Sequence, residues 1–272
     1  MSKIFVGLDD VGAQSVSHLN GNGAVMTGEI NRFPGQRVTQ STAAGVAVAD
    51  ETTPGTKVGS PPALEMDRAT RQELTRLTHT LFLNSGGSRV VAFSGVQAGV
   101  GCSWMLVRTA ELLAAADAGS VCVVDANLRS SMLHIYLHVR NSCGLSDALV
   151  APHPVCEYVR RLGGRLHLLS SGSLALKAEP LLASSAFRAC VDELRASFDF
   201  VLFDTPPLAA SSDALAVASR IDGLAMVVEA NYTNRETALK AAKSAAAAKV
   251  RMLGVVLNKR TYPIPTAIYK RL

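Results

Sequence analysis

The chain of 272 residues has little of what a membrane protein, a disulfide-stapled protein or a nucleic-acid binder would need. Its longest apolar runs, such as Gly254 to Leu257 or Leu224 to Val228, stop far short of the roughly 18 residues required to cross a bilayer as a helix. An integral helical membrane protein is therefore excluded. The start meets Asp9 and Asp10 before any apolar core has formed, so no secretory leader is expected and the protein is placed in the cytoplasm. Five cysteines (Cys102, Cys122, Cys143, Cys156 and Cys190) are an odd number with no C-x-x-C pair, which argues against a disulfide framework and a Cys-rich zinc site. Aromatic residues make up 5% and charged residues 18%. Dense Lys/Arg runs and interleaved aromatics are both missing. The net charge of +5 thus suits an acidic ligand or surface without indicating nucleic acid.

Hydrophobic residues make up 48% of the chain, enough for one sizeable core. Glycine and proline concentrate in residues 1–62 with no helical or strand period, and this stretch reads as a flexible, largely disordered N-terminal arm. A short helix at its tip is allowed by Ile4, Phe5 and Leu8 on one face. Residues 63–272 read as the folded domain. Leu74, Leu77 and Leu81 form an apolar stripe on a helix expected from Leu64 to Leu83. Beyond it, short apolar runs (Val90 to Ser94, Val121 to Asp125, Leu166 to Ser170, Phe200 to Asp204, Leu224 to Glu229, Met252 to Leu257) alternate with helical segments at Ser103 to Ala116, Leu181 to Ser197 and Glu236 to Ala248. Strands that read as unbroken apolar runs belong in a mostly parallel sheet covered on both faces. The class is α/β, doubly wound.

Three segments carry chemistry. The first run ends in Ser94-Gly95-Val96-Gln97-Ala98-Gly99-Val100-Gly101-Cys102-Ser103-Trp104, a glycine loop between a strand and a helix. Such a loop lets successive N–H groups converge on a phosphate at the helix N-terminus. Ser103 stands where the hydroxyl of G-x-x-x-x-G-K-[ST] binds Mg2+, but Cys102 occupies the place of the lysine. The second and fourth runs end in Asp125 and Asp204, at the strand edge where ligands of open α/β sheets bind. Asp204 is followed by Thr205-Pro206-Pro207 and is presented as a Walker B carboxylate would be. No metal-ligand cluster stands out among the histidines: His138, His153 and His167 lack ligand spacing.

Together these residues resemble the bacterial tyrosine autokinases of exopolysaccharide and capsule biosynthesis, within the MinD/ParA-like P-loop ATPases. The resemblance covers about residues 64–260. It rests on Val124 to Arg129 with His134, on Gly144-Leu145-Ser146-Asp147-Ala148-Leu149, on Phe198 to Pro207, on Ser212-Asp213-Ala214, on Asp222-Gly223 and on Leu253 to Asn258. It implies a P-loop NTPase fold binding ATP or ADP with Mg2+. Gly99, Val100, Gly101, Cys102, Ser103 and Trp104 would wrap the phosphates, Ser103, Asp125 and Asp204 would hold the metal, Asp125 and Asp204 would be the catalytic carboxylates, and Asn258 would meet the adenine. Glu73, Arg76 and His79 resemble the helix segment through which these kinases pack into rings. The implied partner is a membrane chain-length-determinant, a polysaccharide co-polymerase, with the chain peripheral at the inner face of the membrane.

The chain also departs from that family. Cys102 replaces the P-loop lysine, Gln97 the signature lysine of MinD and ParA proteins, and Asn127 a carboxylate, while Tyr262 and Tyr269 are the only tyrosines of the tail. Losing the main cation removes electrostatic stabilisation of the transferring phosphoryl group. The expectation is a kinase-like, nucleotide-binding regulatory or accessory subunit whose phosphoryl transfer is weak or absent; the backbone nest and the Mg2+ ligands survive, so binding of ATP or ADP need not be lost with catalysis, though it can be weak. The alternatives are an active tyrosine autokinase that draws a lysine or arginine from elsewhere, and a MinD/ParA-type positioning ATPase. A thiol at a helix N-terminus also suggests a lowered pKa and redox sensitivity at Cys102.

Overall fold

A computed structural model describes residues 5–7, 66–84, 86–151, 153–173 and 178–260. The N-terminal arm, except Phe5–Gly7, and both Tyr262 and Tyr269 lie outside the described residues. Among the described residues, eight strands, β1 (Phe5–Gly7), β2 (Val90–Gly95), β3 (Val121–Asp125), β4 (Arg160–Gly163), β5 (Leu166–Leu169), β6 (Phe200–Thr205), β7 (Gly223–Glu229) and β8 (Met252–Asn258), form one sheet in the order β1-β8-β7-β2-β6-β3-β5-β4. The six inner strands are parallel, and β1 and β4 close the two edges antiparallel to β8 and β5. Phe5–Gly7, where the sequence allowed a short helix, is thus an edge strand paired with Val255 to Leu257.

The helices are α1 (Arg68–Thr78), α2 (Cys102–Ala115), the one-turn α3 (Leu133–Tyr136) and α4 (Leu145–Ala148), α5 (Ala178–Ala183), α6 (Ser185–Ser197), α7 (Asp213–Ala218) and α8 (Arg235–Ala247). The first helix starts four residues later than its composition suggested because Asp67 caps it, accepting from the Thr70 amide at 2.9 Å. It then widens into a π turn over His79–Leu83, which keeps Leu81 and Phe82 in the core. The helix expected over Leu181 to Ser197 is two helices. Ser184 breaks it, since its hydroxyl caps α6 by accepting from the Phe187 amide at 3.2 Å.

Alternation along the inner strands explains why they read as continuous apolar runs. Val91 and Phe93 face a core built with Leu74, Leu77, Met105 and Leu106 of α1 and α2, while Val90 and Ala92 face the opposite core with Phe187, Val191 and Leu194 of α6. Each fully buried leucine contributes roughly 1.5–3 kcal/mol relative to exposure. These two cores fix the central strands rigidly. Residues at their carboxyl ends are therefore held in set positions, and β2, β6 and β3 lie side by side there.

Candidate functional site

The glycine loop leaves β2 at Gly95 and enters α2 at Cys102. Gly99 and Gly101 have φ of 81° and 85°, left-handed values that an L side chain rarely adopts. Val96 and Val100 are buried beneath the loop, leaving Ala98 and Gly99 exposed above it. The segment after β6 braces its base: the Leu208 and Ala209 amides donate to the Gly95 and Val96 carbonyls at 2.9 and 3.0 Å, and the Ser94 hydroxyl donates to the Pro206 carbonyl at 2.8 Å. Trp104, partly buried, packs on the α1–α2 core immediately behind Ser103.

Asp125 and Asp204 are direct partners in the parallel register of β3 and β6, and both are buried. Their surroundings differ. Asp125 accepts from the Ser131 hydroxyl at 2.7 Å, the Leu133 amide at 3.2 Å and the Asn127 amide at 3.2 Å. Because the Ser131 hydroxyl is spent on Asp125, its 2.9 Å contact with His134 has Nδ1 as the donor. Asp204 has the Ser103 hydroxyl beside it, and its Oδ2 has no hydrogen-bond partner. Burial, and then the Asp125 charge, push the Asp204 carboxyl from 3.8 up to about 8, while Ser103 pulls it back only in part. Burial raises Asp125 as well, against the pull of Ser131, Leu133 and Asn127. Asp125 has three donors around its carboxylate, whereas Asp204 has the Ser103 hydroxyl alone.

Cys102 does not behave as its helix-terminal position suggested. Burial, reinforced by the Asp204 charge, raises its thiol well above the ordinary value, and a backbone hydrogen bond from Gly95 offsets this only in part. This direction runs against the lowered pKa that the helix N-terminus suggested.

Asn258, at the end of β8, is buried and turned onto the loop. Its Nδ2 donates to the Val100 carbonyl at 2.8 Å, and its Oδ1 accepts from the Lys259 amide at 2.8 Å. The carboxamide thus braces the glycine loop. Lys259, which the sequence did not single out, follows with φ of 56°, and its Nζ donates to the Gly99 carbonyl at 2.6 Å and to Glu229 Oε2 at 3.0 Å.

The other motifs make local contacts. Arg129 Nε meets the buried carboxylate of Asp213 at 2.6 Å, joining the loop after β3 to the start of α7. Gly144 has no room for a side chain, since a Cβ would collide with the Ser170 carbonyl, and its amide donates to Asp147 Oδ2 at 2.8 Å. Asn127 accepts from the Ser130 amide at 3.2 Å and so closes a turn. On α1, Glu73 is buried and bonded to the exposed Arg76 at 3.1 Å, with His79 exposed one turn further on. His153 faces Glu157, and His167 packs on the Phe198 ring.

The residues present fit a magnesium nucleotide. A hydroxyl and an unpartnered carboxylate oxygen are the hard donors that Mg2+ prefers, set beside a glycine loop at a helix N-terminus. The mostly parallel sheet covered by helices on both faces is the P-loop NTPase fold of the MinD/ParA-like class. A family model described as cellulose biosynthesis protein BcsQ matches residues 88–253, and the chain belongs to that family. It is also similar to tyrosine-protein kinases: YwqD of Bacillus subtilis (31% identity over 51% of this chain and 59% of the relative) and CpsD of Streptococcus agalactiae (24% over 75% and 89%). The matched part therefore spans less than two thirds of the Bacillus relative. Among solved structures, the kinase domain of the Escherichia coli tyrosine kinase ETK shares the fold with a TM-score of 0.66 and 21% identity, covering 72% of this chain and 80% of that one. The cell division protein MinD of Aquifex aeolicus shares it with a TM-score of 0.51 and 19% identity, covering 68% and 73%.

Proposed function

We propose that this chain is a kinase-like, nucleotide-binding accessory subunit of exopolysaccharide or capsule biosynthesis and export, with weak or absent phosphoryl transfer. The observation that carries it is the unpartnered Asp204 oxygen beside Ser103, next to a loop in which Cys102 has replaced the lysine. Ser103 and Asp204 would hold Mg2+, with Asp125 behind them, and Mg2+ would supply charge neutralisation at the phosphates. The amides of residues 98–103 bind and orient the phosphates, and Asn258 keeps the loop in shape. What is missing is a fixed cation within the loop, and that loss falls on the transition state more than on binding.

In this reading the chain docks on a separate membrane chain-length-determinant protein at the inner membrane face, where its net charge of +5 suits an acidic surface. Arg76 and His79, exposed on α1, are candidates for self-association. Fluorescence of Trp104, the chain's single tryptophan, tests the nucleotide site directly. Titration with MgADP is expected to give a saturable change, weakened roughly ten-fold by Ser103→Ala through loss of a metal ligand. No response up to about 1 mM, confirmed by calorimetry, would overturn the reading.

A further inference from the structure

The lysine absent at position 102 leaves an electrostatic problem. A nucleotide diphosphate would place several negative charges beside Asp125 and Asp204, both already buried. Mg2+ answers part of this. Among the described residues, the one ammonium bonded to the glycine loop comes from far along the chain. Lys259 Nζ caps the Gly99 carbonyl at 2.6 Å, and its stem passes Gly101, where an added Cβ would lie 3.9 Å from Lys259 Cε. Gly101 immediately precedes the position from which a P-loop lysine would project. The second partner of the ammonium is Glu229 Oε2 at 3.0 Å, at the end of β7. Asn258 anchors the base of this arm, since its side chain holds Val100 and accepts from the Lys259 amide.

Two features make this more than a surface ion pair. Lys259 sits in the left-handed region with φ of 56°, and that turn carries its side chain back over the loop. The arm also reaches the loop from the end of β8 across 160 positions of sequence, so only the packed sheet brings the two together. An ammonium has three donors, of which two are used here.

We propose that Lys259 is the cation that serves the phosphates of a bound nucleotide in place of the lysine lost at position 102, and that Glu229 competes with the nucleotide for it. The inference rests on the nucleotide-binding reading above. It predicts effects of opposite sign at the two partners. Lys259→Gln weakens MgADP binding roughly ten-fold and flattens its dependence on salt, while adenosine binding is unchanged and Lys259→Arg restores most of the affinity. Glu229→Gln tightens MgADP binding about three-fold by releasing the ammonium. A merely structural bridge would lose affinity in both variants, with no change in salt dependence.

The measurement is calorimetric titration of MgADP into wild-type protein and the three variants at two ionic strengths, with melting curves confirming that each variant is folded. Wild-type binding that Lys259→Gln leaves unchanged, or that Glu229→Gln weakens, overturns the role of Lys259 while the nucleotide site stands. If the wild type binds no MgADP, the nucleotide reading and this inference fall together. Should Lys259→Gln fail to fold, Glu229→Gln decides alone by the sign of its effect.

Discussion

Asp204→Asn is expected to stabilise the protein in the absence of nucleotide, by an amount that grows with pH. The carboxyl titrates near 3.8 when exposed and at about 8 in the fold. Below pH 4 both states hold the proton, so the aspartate costs nothing. Between these values the unfolded chain ionises while the folded chain resists, and each pH unit removes up to about 1.4 kcal/mol of stability. Above pH 8 the penalty is complete. Asparagine keeps the volume, stays neutral and can donate to Asp125, so at pH 8 it should gain a few kcal/mol, or roughly 5–10 °C in melting temperature. The gain should vanish near pH 4. Melting curves across that range check the prediction, and a gain independent of pH would point to packing instead of charge. The same variant loses a metal ligand, so what it gains in stability it should lose in MgADP affinity.

Cys102→Lys is expected to have the largest effect on ligand affinity. The Asp204 charge acts on the Cys102 thiol, so an ammonium introduced there enters the field of a buried carboxyl group with one unpartnered oxygen. It should draw Asp204 back toward the ordinary carboxylate range and tighten MgATP binding by roughly ten- to a hundred-fold through charge-assisted bonds to phosphate. The two variants are coupled. With lysine at 102, Asp204→Asn should no longer stabilise the protein at pH 8, because the charge it removes is already paired. Calorimetry of MgATP binding reads the first effect, and a double-mutant melting cycle the second. Unchanged affinity would mean that the loop does not hold phosphate.

Much of this architecture was legible in the sequence because the inner strands are buried on both faces. Runs such as Val121 to Asp125 and Phe200 to Asp204 could only be parallel strands, and an aspartate closing each had to emerge at the ligand edge. What escaped was of two kinds. The edge strands Phe5–Gly7 and Arg160–Gly163 are too short to carry a period, and the break at Ser184 depends on one hydroxyl choosing to cap α6. The contacts of Lys259 with Gly99, and of Arg129 with Asp213, join segments far apart in the chain, and no local pattern signals them. Cys102 does open α2, as the sequence pattern expected, but the desolvation and the Asp204 charge that raise its thiol come from segments no local pattern brings together.

The central claim, that the site holds a nucleotide it barely turns over, is tested most directly by calorimetric titration of MgATP into the purified wild-type chain. The account predicts a saturable heat of binding that returns to baseline after each injection, with no phosphotyrosine formed. A steady heat flow from continuing turnover, accompanied by phosphorylation of Tyr262 or Tyr269, would contradict it by showing an active kinase. The absence of any binding heat would contradict it from the other side, leaving the fold as a scaffold without its nucleotide.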